Sequence, residues 1–396
     1  MISVSEARQM IAEKVQPLPH CYVPLEEAHG RILRRPVLAA EEIPAFDRSA
    51  MDGYAIARDD DSERFAVIGE IQPGRAPSFS IGKGQCARIF TGAALPSGAS
   101  QVLMQEDVRR EGEWMIPTQR SDRDFVRHKG EDAAQGAVLL QAGTRLRAGE
   151  TALLAQVGAI RPSVSPAPRV LHLVTGNELL PPSAQPALGQ IRDSNSTLVA
   201  SLLAENGARL VGQDRCGDDL EALVARIRRE PAESWDVLLI SGGASVGDYD
   251  FGRRALDSLG FVAHFESLNL RPGKPLVFAT RGGQAAFVIP GNPVSHFVVF
   301  HVAIRAALQR LEAAEITWSL LDALVAGELP ERPDPREMYW PAYLAISYGL
   351  PTCIPLTWQS SGDLCGLVGA NALIQIPANT VIPMGAAAKN LLLRDP

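Results

Sequence analysis

The strongest constraint on this chain lies between Arg169 and Leu311, where one phrase repeats: an apolar run too short for a helix passes directly into a glycine-bearing polar turn. VLHLV runs into TGNEL, DVLLI into SGGASVGDYD and AAFVI into PGNPVS. Helical stretches lie between and after them (STLVASLLAENG, DLEALVARIRRE, PVSHFVVFHVAIRAALQRL). Strands alternating with helices predict a parallel sheet covered by helices, and in such sheets ligands sit beyond the carboxyl ends of the strands. The three turns should therefore meet on one rim. Glycine lets the backbone approach a ligand closely, and free N–H groups at the helix starting near Pro293 can hold an anion. Each turn taken alone reads better as a plain turn, but their repetition at successive strand ends marks the rim as the candidate site.

The remaining sequence has a different texture. Residues 1 to about 44 open with an amphipathic helix (Ile2, Ala7, Met10, Ile11, Val15) closed by Pro17 and Pro19. From Ile43 to about Arg127, short apolar runs (FAVIGEI, CARIF, QVLMQED, EWMIP) separated by Gly, Pro and Asp predict a β-rich module. TALLAQVGAI reads as a helix, the prolines of RPSVSPAPR as a boundary, and LIQIP and AKNLLL as strands of a last small domain. At 396 residues the chain exceeds the roughly 250 residues that one core supports. The expected organisation is multidomain α/β plus β. An elongated linking domain spans 1–44 and 128–167, a β-rich insertion domain 45–127, the α/β domain 168–314 and a C-terminal β domain 315–396.

Charge and cysteine usage exclude several classes. With 38 basic and 45 acidic side chains the net charge is -7, so no global field draws the chain to nucleic acid or anionic lipid; any anionic ligand needs a local cluster. Five scattered cysteines without a CxxC pair argue against a disulfide framework and a thiolate metal site. The start lacks the pattern of a signal peptide, and the apolar stretch around Phe297 to Ala307 is too short to span a bilayer. A cytoplasmic, membrane-free protein is expected.

Within SGGASVGDYD, Asp248 and Asp250 follow directly on a phosphate-friendly turn. Two carboxylates beside a phosphate repel it unless a divalent cation intervenes, and Mg²⁺ takes one or two carboxylates together with phosphate oxygens. Asp248 alone reads equally as the cap of the next helix. LRPGKPLVF sets Arg271 and Lys274 on a Pro-Gly turn, as an oxyanion fork and a point charge, or as a solvated turn. A second cluster stands in the β-rich part: PAFDRSAMDGYAI carries Asp47, Arg48, Ser49 and Asp52, TGAALPSGASQVLMQED carries Thr91, and Gly130-Glu131-Asp132 adds a further acidic turn.

Taken in order, PAFDRSAMDGYA, IFTGAALPSGA, KGEDA, VTGNEL, GQIRDSNS, SGGASVGDYD, LRPGKP and IPGNPVS resemble the molybdopterin molybdenumtransferases, the MoeA and gephyrin E-domain family, over nearly the whole chain. The resemblance implies an elongated homodimeric transferase that binds adenylated molybdopterin, inserts molybdate into its dithiolene with Mg²⁺ and releases AMP. It also implies a cleft between the α/β domain of one subunit and the β-rich domain of the other, and raises the molybdopterin adenylyltransferase as a partner. By motif, Asp52, Thr91, Asp132, Glu178, Asp250 and Lys274 fall on catalytic positions. Ser241, Gly242, Gly243, Ser245, Gly247, Arg271, Pro290, Gly291, Asn292, Ser295 and Arg336 fall on binding positions, and Asp248 and Asp250 on metal positions. The chain departs from the pattern at Arg48, Asn177, Arg271 and Phe251, and at Pro341, which stands where a second arginine follows Arg336. Pro341 motivates one alternative, a non-catalytic molybdopterin-binding or scaffolding paralogue; the other is an insertase for tungstate, a tetrahedral dianion of nearly the size of molybdate.

Overall fold

In the computed structural model, which describes residues 1–243, 251–346 and 349–393, the apolar runs after Arg169 become one six-stranded sheet. Its strands are β1 (Arg169–Thr175), β2 (Arg209–Cys216), β3 (Val237–Ser241), β4 (Val262–Ser267), β5 (Pro275–Arg281) and β6 (Gln284–Ile289), in the order β2-β1-β3-β6-β5-β4. β2, β1, β3 and β6 run parallel. β5 runs against both of its neighbours, a reversal the sequence reading did not draw. Its cause is local: Gly282-Gly283 joins β5 to β6 as a two-residue hairpin closed by the Arg281–Gln284 pair, and Gly282 takes the positive φ of +57° that such turns require.

The helices are α1 (Val4–Lys14), α2 (Ala148–Gln156), α3 (Asn195–Glu205), α4 (Leu220–Arg228), α5 (Phe251–Ser258), α6 (Pro293–Val299) and α7 (Arg305–Leu311); a π-helical turn, Phe300–Ile304, joins α6 to α7. Alternation along the central strands assigns each residue to a layer. Val237, Leu239, Ala285, Phe287 and Ile289 share a core with Leu202 and Leu203 of α3 and Val298 of α6. Leu238, Ile240, Ala286 and Val288 turn the other way and share a core with Leu223 of α4 and Leu256 of α5. Burial on both sides explains why these strands read as continuous apolar runs. α1 is started by a capping box of Ser3 and Glu6, and its Val4, Ala7 and Ile11 enter the first of those cores.

The C-terminal strands close on themselves. Glu337–Ala345, Thr352–Pro355, Leu320–Val325, Ala387–Leu392 and Ala372–Ile376 pair in succession, and the last returns to the first. The resulting small barrel is filled by Val325, Met338, Cys353 and Ile374. A short strand, Leu270–Arg271, runs parallel to the barrel strand, with Arg271 level with Met338.

The chain forms two compact units, one of Met1–Arg34, Arg145–Ala148 and Arg161–Pro396, the other of Arg35–Thr144 and Gly149–Ile160. The second contains a six-stranded sheet ordered Gln101–Met104, Gly53–Ile56, Gln85–Ile89, Phe65–Ile71, Trp114–Pro117 and Val108–Glu111. Its interior includes Ala55, Ile71, Ile89 and Val102 on one side and Ile56, Phe65, Leu103 and Met115 on the other. Gly53 lies where a β-carbon would stand 1.9 Å from the Leu103 carbonyl oxygen, so the sheet closes there only around glycine. Gly53→Ala should cost stability at the upper end of about 1–3 kcal/mol in chemical denaturation. Gly149→Ala, at a helical site with nothing within 4 Å of the added carbon, should stabilise by roughly 0.5–1 kcal/mol.

Candidate active site

Strand register decides where the glycine turns end up. Val174 pairs with Ser241, and Ser241 with Ile289, so the three parallel strands finish level and their turns share one edge. There the Gly242 N–H donates to the Ile289 carbonyl at 3.0 Å. Gly242 has φ +90°, and a β-carbon on it would lie 2.7 Å from the Thr175 carbonyl oxygen. Gly243 also has positive φ, +62°. A β-carbon on Gly291 would reach Gly242 Cα at 3.9 Å. Backbone thus crowds against backbone, and the ledge it forms carries no side chains of its own. Ser245, Gly247, Asp248 and Asp250 lie outside the described residues.

Neighbouring loops pin the ledge. Asn195 Nδ2 donates to the Gly291 carbonyl at 2.6 Å. Asn292 precedes α6 but does not cap it; its Nδ2 donates to Ser361 Oγ at 2.8 Å, while the Val294 N–H donates to the Ser361 carbonyl at 3.0 Å. Pro290 and Ser295 are buried, and Gly291 and Asn292 are exposed. Glu178 folds back over its own turn, since a β-carbon on Gly176 would meet its carboxylate at 2.8 Å. Asn177 and Asp218 exchange backbone-to-side-chain bonds of 3.3 and 3.2 Å.

The LRPGKP turn stands beside α6. A β-carbon on Gly273 would strike Val299 Cγ1 at 2.6 Å and lie 3.7 Å from the Ser295 carbonyl oxygen. At one end of this turn Arg271 Nη1 donates to Asp334 Oδ2 at 2.7 Å. Arg336 donates to the same carboxylate from Nε at 2.9 Å and Nη2 at 3.0 Å. Asp334 is only 8% exposed, and bonding to Arg336 first and Arg271 second holds its carboxyl well below the usual range. Two guanidiniums on one carboxylate leave a net positive charge and unused N–H donors, a suitable seat for an oxyanion. Pro341, where the resemblance places a second arginine, is a barrel residue opposite Leu373; Arg271 stands beside Arg336 instead. Lys274 is exposed at the far end of the turn.

Ser241 offers the ledge no side chain. Its hydroxyl is wholly buried between His172 Nε2 at 2.6 Å and His296 Nε2 at 2.8 Å. Despite that Ser-His geometry, an oxygen with no path to solvent is not a nucleophile for an external substrate.

The second unit carries its own set. Antiparallel pairing of Gly53 with Ile89 brings Asp52 to Thr91, whose N–H and hydroxyl both donate to Asp52 Oδ1 at 2.7 and 2.8 Å. These bonds lower the Asp52 pKa. Asp132 accepts from Arg127 Nη2 at 2.6 Å, and Glu131 bonds the same guanidinium. Arg48 helps to line a cavity of about 170 Å³ with Ile43, Phe46 and Gln156.

Sequence reasoning passed over Asp334, His172, His296, Asn195 and Ser361. Asp334 is two residues before Arg336, and Asn195 lies in the GQIRDSNS string; the histidines sit in apolar runs and give no sign of a role. No group of three or more His, Cys, Asp or Glu suited to a metal occurs among the described residues. Among those residues no helix is long and apolar enough to cross a membrane.

Burial pushes His172, His296 and His301 down to about 3. For His296 the neighbouring His172 adds to this while the Pro290 backbone and Asp193 oppose it; for His301 Arg305 adds to it. The unfolded chain takes up these protons near pH 6.5 and the folded protein does not, so stability falls as pH drops from about 6.5 toward 3. The loss should be about 1.4 kcal/mol per pH unit for each histidine. Denaturant midpoints should be flat above pH 7 and decline steeply from pH 6 to 5, and His301→Phe should make that decline shallower.

Comparison with known proteins accounts for both units. Residues 2–158 match the MoeA N-terminal region (domain I and II), residues 172–310 a probable molybdopterin binding domain, and residues 328–393 the MoeA C-terminal region (domain IV). A molybdopterin molybdenumtransferase of Nostoc sp. is 37% identical over 90% of this chain and 84% of its own length. One from Bacillus subtilis is 32% identical over 94% and 90%. The crystal structure of a molybdopterin biosynthesis MoeA protein from Pyrococcus horikoshii superimposes with a TM-score of 0.81 at 28% identity, covering 100% of both chains. With its level glycine turns, its paired arginines and these likenesses along its length, the chain belongs to the molybdopterin molybdenumtransferase family, transferase enzymes of molybdenum cofactor biosynthesis.

Proposed function

We propose that this enzyme inserts molybdenum into adenylated molybdopterin and releases AMP. The observation that carries this reading is the placement, within one unit, of two different anion sites. The Gly242–Gly291 ledge offers close backbone contact to phosphates, and the Arg271–Asp334–Arg336 group offers charge-assisted donors to a tetrahedral oxyanion. Gly273, wedged against α6, ties the turn of the second to the helix that follows the first. A phosphorylated, adenylated pterin and molybdate are a substrate pair that needs both.

Roles follow from chemistry. The turns at 176, 242 and 291 receive the substrate's phosphates, and Lys274 adds a point charge beside them. Asp248 and Asp250, which follow the 242 turn in the sequence, are hard oxygen donors of the type Mg²⁺ prefers; the ion would neutralise phosphate charge as AMP departs. Arg336 and Arg271 orient molybdate for attack by the dithiolene sulfurs. Asp52, fixed by Thr91, and Asp132, fixed by Arg127, are read as the contribution of a second subunit, so that a homodimer shares its sites. The chemistry also calls for an adenylyltransferase to supply the substrate. The five unpaired cysteines suit a cytoplasmic location. The scaffolding alternative drew its force from Pro341, and the second guanidinium supplied by Arg271 favours the insertase.

The direct test is to combine the protein with adenylated molybdopterin, molybdate and Mg²⁺ and to measure AMP release together with active cofactor. AMP release that depends on the oxyanion supports the reading; tight substrate binding without AMP release at any molybdate or tungstate concentration moves the protein to the scaffold class. Tungstate supporting release where molybdate does not would assign the other metal. A charged contact contributes about 1.5–3 kcal/mol, so Arg336→Ala should raise the half-saturating molybdate concentration about ten- to a hundredfold and leave pterin affinity nearly unchanged. Asp52→Ala and Lys274→Ala proteins, each inactive, should recover activity when unfolded and reassembled together; dimers that stay inactive would refute the shared site.

A further inference from the structure

The buried Ser241 hydroxyl is one link in a longer circuit. Gln213 on β2 places its Nε2 3.0 Å from the Ser196 carbonyl and 2.9 Å from His172 Nδ1. His172 on β1 meets Ser241 at the end of β3, and Ser241 meets His296 on α6. On the return side, Asn195 next to Ser196 holds the Gly291 carbonyl, and Gly291 follows Pro290, whose backbone faces His296. Asp193 secures the start of α3 by accepting from the Ser196 N–H at 2.9 Å and its hydroxyl at 2.5 Å. The inner members are deeply placed, with His172 and Ser241 0% exposed, His296 1% and Asn195 8%, while Gln213 at the outer end is exposed.

Donor arithmetic sets every proton. A backbone carbonyl only accepts, so the Gln213 amide nitrogen must face Ser196, and its second hydrogen goes to His172 Nδ1. His172 then carries its proton on Nε2 and donates it to Ser241 Oγ. Ser241, having accepted, donates its own hydrogen to His296 Nε2. His296 is left with its proton on Nδ1, on the side of the Pro290 backbone, where no acceptor stands in hydrogen-bond geometry.

We propose that this circuit is a positioning device of the active site, in which His172 and His296, locked in opposite tautomers, hold Gly242 and Gly243 after β3 and the turn after β6 at the spacing that receives the substrate's phosphates. Both are positioning residues; neither touches a ligand. The arrangement joins β2, β1, β3, α3 and α6 just beneath the ledge, and a connected polar network rigidifies the groups it links, even though Asn195 Oδ1 and His296 Nδ1 find no partner in hydrogen-bond geometry. Apolar packing alone would hold the sheet without fixing where its terminal turns point. The ligand half of this proposal rests on the function proposed above; the proton assignment does not.

Two measurements test it. Nitrogen-15 imidazole spectra of histidine-labelled protein should show one histidine protonated only on Nε2 and one only on Nδ1, assigned by the His172→Gln and His296→Gln variants, with both unchanged between pH 8 and 5. Tautomer mixtures or the reverse assignment would overturn the circuit whatever the substrate is. For the ligand half, His172→Phe removes the donor to Ser241, whereas His172→Gln keeps one. The Phe variant should raise the Kd for adenylated molybdopterin about tenfold or more with the half-saturating molybdate concentration unchanged, and the Gln variant should return the Kd to within about threefold of wild type. Equal losses in both variants, or a loss that follows melting temperature in all ligands alike, would reduce these residues to core packing. Wild-type protein that binds no adenylated molybdopterin would overturn the functional reading and the ligand half together, leaving the tautomers to stand on the spectrum.

Discussion

The register of three parallel strands is the constraint on which the site depends. Because Val174, Ser241 and Ile289 stand level, turns separated by dozens of residues in the sequence end on one ledge. A slip of one residue would turn Ser241 away from both histidines and exchange the apolar faces that α3 and α4 cover. Core packing and site geometry are therefore one specification. The alternation of Val237, Leu238, Leu239 and Ile240 between two cores fixes the register, and the register places the ledge.

Around that frame, under the proposed function, the chain meets two anionic groups by different means. For phosphates it offers glycine backbone, brought so close that a β-carbon on Gly242 would collide with Thr175. For the oxyanion it offers side chains, with two guanidiniums sharing one buried carboxylate. Asp334 is what makes Arg271 and Arg336 a pair: it offsets their repulsion and sets their planes, while leaving them cationic in sum. The parallel ladder from Leu270–Arg271 to Glu337–Met338 fastens the turn to the barrel, with Arg271 inside it and Arg336 one residue before it.

Much of this was legible in the residues. The period of apolar runs and glycine turns announced the sheet and its rim, and motif order announced the family. What escaped has physical reasons. β5 runs backwards because of a Gly-Gly hairpin, and its run PLVFATR carries no mark of direction. The closed barrel depends on pairings between strands far apart in sequence, which periodicity does not encode. His172 looks like an interruption of an apolar strand, and only the structure shows that Gln213, Ser241 and His296 complete it. Pro341 reads as a lost arginine because a motif registers position along the chain, and only the structure shows Arg271 beside Arg336 on the Asp334 carboxylate.

Hydrogen–deuterium exchange of the protein with and without adenylated molybdopterin tests the central claim most directly, because the claim concerns backbone amides. The account predicts that substrate protects the turns at 176–178, 242–243 and 291–295 together, at one ligand concentration, with little change along β4 or in the outer strands of the barrel. Protection confined to another region, such as the cavity of about 620 Å³ lined by Arg145, Arg305 and Glu312, with the three turns unaffected, would contradict it.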